Sequence, residues 1–167
     1  MIFTNQRRLF VAMATVILGI GLASCGAGRR GTATVANTND TAVLDYPVID
    51  RYSSGGTLDI RRIVLTDSST TIHFSAKYRP KNWIFIDTAS CIIAKNGKKL
   101  RMTGHSGCLT PGKKYFMPKN GRDSFALVFP PLPAGTESID FIESEAKNGF
   151  KLFGIDLTGR KSVRQFQ

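Results

Sequence analysis

Histidine, cysteine and long apolar runs are scarce in this chain, and each scarcity narrows what it can do. His73 and His105 are the only imidazoles, so a general base or a histidine-rich metal site has few groups to draw on. No nucleophile elbow, phosphate-cradling glycine loop or zinc-protease signature occurs, and no Cys-x-x-Cys pair offers thiol exchange. These absences point away from an enzyme. The apolar stretch over residues 9–22 falls short of the roughly 18 residues of a spanning helix. Beyond residue 57, apolar residues nowhere recur convincingly with the 3.6 period of a helix, which leaves strands.

The apolar stretch is nonetheless the most informative part of the sequence. Arg7 and Arg8 precede it, and Leu22-Ala23-Ser24-Cys25-Gly26 ends it. A basic start, a short apolar centre and small residues before a cut form the layout of a secretory signal. The motif resembles the lipobox of bacterial lipoproteins. That resemblance implies cleavage after Ser24 and a membrane anchor made of a diacylglycerol and an N-acyl chain on Cys25. An ordinary signal with a chance cysteine after the cut is the alternative. The expected organisation is a signal peptide over 1–24, a lipidated cysteine and flexible tether over 25–56, and one domain over 57–167. The tether is rich in Gly, Ala, Thr, Asn and Ser. Within it, Tyr46-Pro47-Val48-Ile49 is an apolar island, either a first edge strand or an anchoring segment.

Acidic residues are the other shortage. Lys and Arg number 23 against 12 for Asp and Glu; losing Arg7 and Arg8 with the leader leaves 21 against 12, a formal charge of +9. Such a balance attracts anionic headgroups, lipopolysaccharide and acidic glycans, although a lysine-rich solvated face is its ordinary meaning. Nucleic acid is not an expected partner of an exported chain. With Cys25 committed to lipid, Cys91 and Cys108 remain, and an even remainder in an oxidising compartment reads as a disulfide. It would close a loop of about 18 residues, contributing roughly 3 kcal/mol in the chain-entropy model. Register argues against it: a hairpin turn at Asn96-Gly97 sets Cys91 opposite Met102, so Cys108 has to fold back from its loop.

Strand signals fill residues 58–65, 70–78, 83–85, 91–94, 98–102, 115–117, 124–129, 138–142 and 150–157. The clearest is 70–78, where Ile72, Phe74, Ala76 and Tyr78 alternate with Thr71, His73, Ser75 and Lys77, the period of a half-buried strand. Asn-Gly follows a lysine at 96–97, 120–121 and 148–149, each a hairpin tip or sharp connection. Residues 130–135, Pro-Pro-Leu-Pro-Ala-Gly, make a stiff link between sheets. Seven to eight short strands at regular spacing predict an all-β, immunoglobulin-like antiparallel sandwich, with a closed barrel as the runner-up.

Three segments invite chemistry. Met102, His105 and Cys108 stand at i, i+3 and i+6 with Gly104 and Gly107 between them. Soft sulfur and imidazole ligands of this kind, with Cys91 or Met117, would suit Cu(I) or zinc. A glycine-rich loop capped by a small buried cysteine is the bland alternative. Lys113-Lys114-Tyr115-Phe116-Met117-Pro118-Lys119 is either a basic-aromatic contact strip or an edge strand guarded by lysines; edge protection is the expectation. Asp140, Glu143, Glu145 and Asp156 are expected on solvent-facing positions.

From about Leu58 the order of features resembles small β-sandwich domains of exported Bacteroidetes proteins. The cues are Leu65-Thr66-Asp67, Trp83-Ile84, residues 125–136 running from Phe125 through Pro130-Pro131 to Thr136, then residues 138–143 and 150–157. Similar domains stand alone or precede a thioredoxin-like module, and the family supplies no catalytic residue to carry over. Surface-exported lipoproteins of that phylum carry acidic residues after the anchor cysteine. Gly26-Ala27-Gly28-Arg29-Arg30 has none, which implies an outer-membrane lipoprotein facing the periplasm. The expected function is non-catalytic binding of an envelope protein or anionic polymer without a cofactor. The alternatives are a redox or metal-handling accessory using Cys91, His105 and Cys108, and a structural or adhesion-type subunit.

Overall fold

Alternation of apolar and polar side chains is obeyed most strictly over residues 70–77, where Thr70, Ile72, Phe74 and Ala76 are buried and the residues between them face outward. A computed structural model describes residues 40–53 and 56–164; Cys25 and the signal and anchor expected before residue 40 lie outside them. The described residues form thirteen strands: β1 (Asp40–Asp45), β2 (Ile49–Tyr52), β3 (Leu58–Leu65), β4 (Thr70–Lys77), β5 (Trp83–Ile84), β6 (Cys91–Ala94), β7 (Lys99–Arg101), β8 (Gly104–Gly107), β9 (Tyr115–Phe116), β10 (Arg122–Phe129), β11 (Ser138–Ile142), β12 (Lys151–Asp156) and β13 (Lys161–Arg164). One sheet has the order β13-β1-β3-β4-β10-β8, the facing sheet β2-β12-β11-β6-β7, and β5 pairs with β9 alone. The protein is an all-β sandwich.

The core forms where the inner faces meet. Phe74 and Phe125 are direct partners across β4 and β10 and stack at 5.1 Å. Phe141 of the opposite sheet tilts against Phe74 at 4.9 Å and meets Phe129 edge-on at 6.4 Å. Each such pair contributes about 0.5–1.5 kcal/mol beyond its burial. Ile60, Ile63, Ile72, Ile92, Leu127, Ile139 and Ile155 fill the space around the rings.

Two bulges adjust the pattern. In β3 the register shifts between Ile60 and Arg62, so both Ile60 and Ile63 point inward while Arg61 and Arg62 are exposed together. In the β11–β12 pair the shift lies between Ile139 and Phe141. There Gly154 adopts φ +62°, its amide donates to Asp140 Oδ1 at 2.8 Å, and an added Cβ would collide with the Asp50 carboxylate.

The strand layout departs from the sequence reading in three places. Residues 40–52, expected in the tether, supply β1 and β2. β1 is short; it pairs with both β3 and β13 and sends Leu44 into the core. Strands outnumber the expected seven or eight because short pieces such as β8 and β13 extend the first sheet. The Asn96-Gly97 hairpin sets Cys91 opposite Arg101, one residue from the expected Met102. Its loop has three residues, with the Gly97 amide donating to the Ala94 carbonyl at 2.7 Å and Gly97 at φ +84°, the geometry of a three-residue bulged turn. The other two Lys-Asn-Gly segments make the same backbone bond, Gly121 on Pro118 and Gly149 on Ala146, and Gly121 shares the positive φ. The proline link does join the two sheets, running from β10 to β11.

Candidate ligand groove

At one end of the sandwich β4 gives way to Tyr78, whose amide donates to the Gly121 carbonyl at 2.9 Å. The chain turns and is fastened by reciprocal backbone bonds, Lys81 to Met117 at 3.1 Å and Met117 to Asn82 at 2.8 Å. This sets β5 against β9, with Trp83 opposite Phe116 and Ile84 opposite Tyr115. The period of two then separates the faces. Ile84 and Met117 anchor in the core, whereas Trp83 and Phe116 remain 46% and 63% exposed. Lys114 stands on the same outer face as Phe116, and its Nζ lies 4.3 Å from the Trp83 ring centroid. The lysine-guarded edge expected here is thus half of a two-stranded aromatic flap.

Beside the flap opens a groove of about 800 Å³ whose walls include Tyr78, Asn82, Trp83, Phe85, Asn148 and Phe150. Its base is organised by Glu143, only 4% exposed. Oε1 accepts the Asp87 amide at 2.8 Å and Oε2 accepts the Phe150 amide at 3.1 Å. Ser90 Oγ donates to the Glu143 carbonyl at 3.3 Å. Burial pushes the Glu143 carboxyl above the usual carboxylate range, against the pull of the two amides. Gly149 lets this loop close, since a Cβ there would stand 2.7 Å from the Ser144 carbonyl. With its oxygens held by backbone amides, Glu143 staples the loop. The groove walls offer ring faces, amide groups, the Lys114 ammonium and the Asp87 carboxylate, which suit contact with a ligand.

The sequence reading of Glu143 as solvent-facing is corrected here. Ile139 and Phe141 are inward on β11, and Glu143 continues the same alternation past the end of the strand. That parity was the available signal. Tyr78, Phe85 and Phe150 gave no comparable warning, because their approach depends on how loops from both sheets meet.

The cysteines do not pair: Cys91 and Cys108 are both free. Cys91 is buried in β6, between β7 and β11 of the second sheet. Cys108 follows β8 at the edge of the first sheet, and its amide donates to Ser124 at 3.3 Å. The topology places them in opposite layers. Cys108 instead adjoins Tyr115 and Asp123, whose side chains bond at 2.5 Å. Burial, followed by the Asp123 charge, raises the Cys108 thiol; burial raises Cys91 too.

Nor do Met102, His105 and Cys108 converge. Residues 104–107 are a strand, so positions three apart face opposite ways. His105 is exposed, while Met102 and Cys108 pack against the core. Among the described residues no group of three or more His, Cys, Asp or Glu side chains is placed to hold a metal.

The groove also has a defined position relative to Asp40, the first described residue. β1 runs antiparallel to β3, with Asp45 beside Arg62 and Ala42 beside Leu65. Asp40 therefore lies beyond the Leu65 end of β3, whereas Thr57, before its Leu58 end, lines the groove. Comparison of the chain with protein-family models, curated proteins and solved structures gives no match.

Proposed function

We propose that this chain is a bacterial outer-membrane lipoprotein, anchored through Cys25 and facing the periplasm, whose immunoglobulin-like sandwich is a non-catalytic binding module. The observation that carries the binding reading is the aromatic groove at the end of the domain opposite Asp40. Trp83 and Phe116 leave apolar surface in water, and covering such surface contributes roughly 25 cal/mol per Å². A domain tethered at its Asp40 end holds this groove away from the bilayer, toward an envelope protein or polymer.

Trp83 is the only tryptophan, so its emission reports on the groove directly. The Cys25→Ser protein is titrated with soluble peptidoglycan fragments, lipopolysaccharide-derived oligosaccharide and fractionated envelope proteins. A blue shift with protection from acrylamide is expected with at least one of them. Unchanged emission and quenching across the whole panel rejects the groove as the binding site. The anchor is tested separately: Cys25→Ser should leave the membrane fraction, because several acyl chains are what make a lasting anchor. A leader-cleaved variant that still sediments with membranes at high salt rejects it.

A further inference from the structure

The outer face of the six-stranded sheet carries a second concavity, of about 840 Å³, which shares no residue with the aromatic groove and lies outside the function proposed above. Its floor follows from the register of β4 and β10. Lys77 lies directly opposite Arg122, Ser75 opposite Ser124 and His73 opposite Ala126. Ser106 of β8 continues the last row beyond Ala126, and Arg62 of β3 continues it on the other side of His73.

Two cations directly opposed across a ladder destabilise a sheet, and no carboxylate forms an ion pair with either of them among the described residues. Three carboxylates stand in or beside the concavity with partners of their own. Asp45 holds Arg62 Nε at 2.6 Å. Asp123 accepts the Tyr115 hydroxyl. Asp59 accepts the Tyr52 hydroxyl at 3.2 Å and the Ile60 amide at 2.9 Å. Among the described residues neither Lys77 nor Arg122 forms a salt bridge. An external oxyanion satisfies both, and an arginine fork suits a carboxylate, sulfate or phosphate geometrically.

We propose that the Lys77–Arg122 pair and the hydroxyl rows beside it bind an anionic oligosaccharide, with one acidic substituent seated between the two cations. The serines donate and accept hydrogen bonds, as a polyhydroxylated ligand requires. The floor is recessed and offers no exposed apolar side chain for insertion into a bilayer. Tyr46, the exposed aromatic at its edge, is occupied by the Arg61 guanidinium, 4.9 Å from its ring.

The test uses the Cys25→Ser protein with a fluorescent heparin octasaccharide, neutral dextran of equal length, and vesicles of phosphatidylglycerol mixed with phosphatidylcholine. Binding to the octasaccharide should weaken with added salt and fall about tenfold or more in Lys77→Gln/Arg122→Gln. Lys98→Gln/Lys113→Gln, which removes the same charge elsewhere, should change it less than about twofold, as expected for screened surface charge. Equal losses in the two pairs overturn the site, because binding then follows net charge alone. Equal affinity for dextran overturns the anionic ligand. Vesicle binding lost with Lys77 and Arg122 but without octasaccharide binding overturns the saccharide in favour of a lipid surface. The thermal midpoint of Lys77→Gln/Arg122→Gln should equal or exceed that of the parent, since two opposed cations are gone. Octasaccharide should raise the parent's midpoint and leave this variant's unchanged; an equal rise in both overturns the assignment.

Discussion

Lys114 Nζ stands 4.3 Å above the ring of Trp83, across the two-stranded pairing of β5 with β9. The contact joins a cation to an exposed indole whose cross-strand partner, Phe116, is also exposed. The same short strand turns Ile84 into the core. One dipeptide therefore supplies both the contact surface and the anchor holding it.

That division predicts opposite phenotypes for adjacent residues. Trp83→Ala should cost no more than about 1 kcal/mol of stability, the range of exposed positions, while removing ligand binding at the groove. Ile84→Ala should cost about 2–5 kcal/mol, as for other buried aliphatic truncations. Urea melts of the two variants beside a ligand titration separate the roles. Equal destabilisation by both substitutions would contradict the division.

Glu143 gives a pH signature. Its carboxyl is raised in the folded protein by burial, so the folded state holds the proton more tightly than the unfolded chain. Its contribution to stability is fully present below the ordinary glutamate value and is lost as pH rises through the folded value. In urea melts from pH 4 to 8, the parent should lose stability relative to Glu143→Gln as pH rises. A pH-independent difference would show that Glu143 titrates normally.

Asp123 works in the other direction. Its pKa is lowered, first by the Tyr115 hydroxyl, so the stabilisation is present above the ordinary aspartate value and is lost as pH falls through the folded one. Tyr115→Phe should cost about 1 kcal/mol at neutral pH, toward the low end for bonds to charged groups because the pair is partly exposed. The cost should shrink in acid. A constant penalty from pH 7 to 2 would place the effect in packing.

The thiols should both be free and slow. Cys91 is 2% exposed, and burial raises both thiol pKa values, which keeps the reactive thiolate scarce. Alkylation of native, unreduced protein should spare Cys91 and label Cys108 slowly. Denaturant should expose both. Mass spectrometry finding a Cys91–Cys108 bridge would contradict the layer assignment.

Local pattern was enough for the strands that form the core. Residues 70–77, 91–94 and 138–142 announce themselves because one face of each must be apolar. The Pro130-Pro131 link and the Lys-Asn-Gly turns are equally local, set by restricted φ in the first and, at Gly97 and Gly121, by tolerated positive φ. Asp40–Asp45 and Gly104–Gly107 are different. The first is short and bounded by aspartates, the second is Gly-His-Ser-Gly, and both are strands because β3 and β10 offer hydrogen-bonding edges. The candidate sites are non-local for the same reason. Trp83 was conspicuous in the sequence, but its groove needs Tyr78 and Phe150 from loops far apart in the chain. Lys77 and Arg122 face each other only through the β4–β10 register, and Cys91 and Cys108 stay apart because they belong to opposite layers. Alternation determines which way a side chain points; pairing and layer packing determine what it meets.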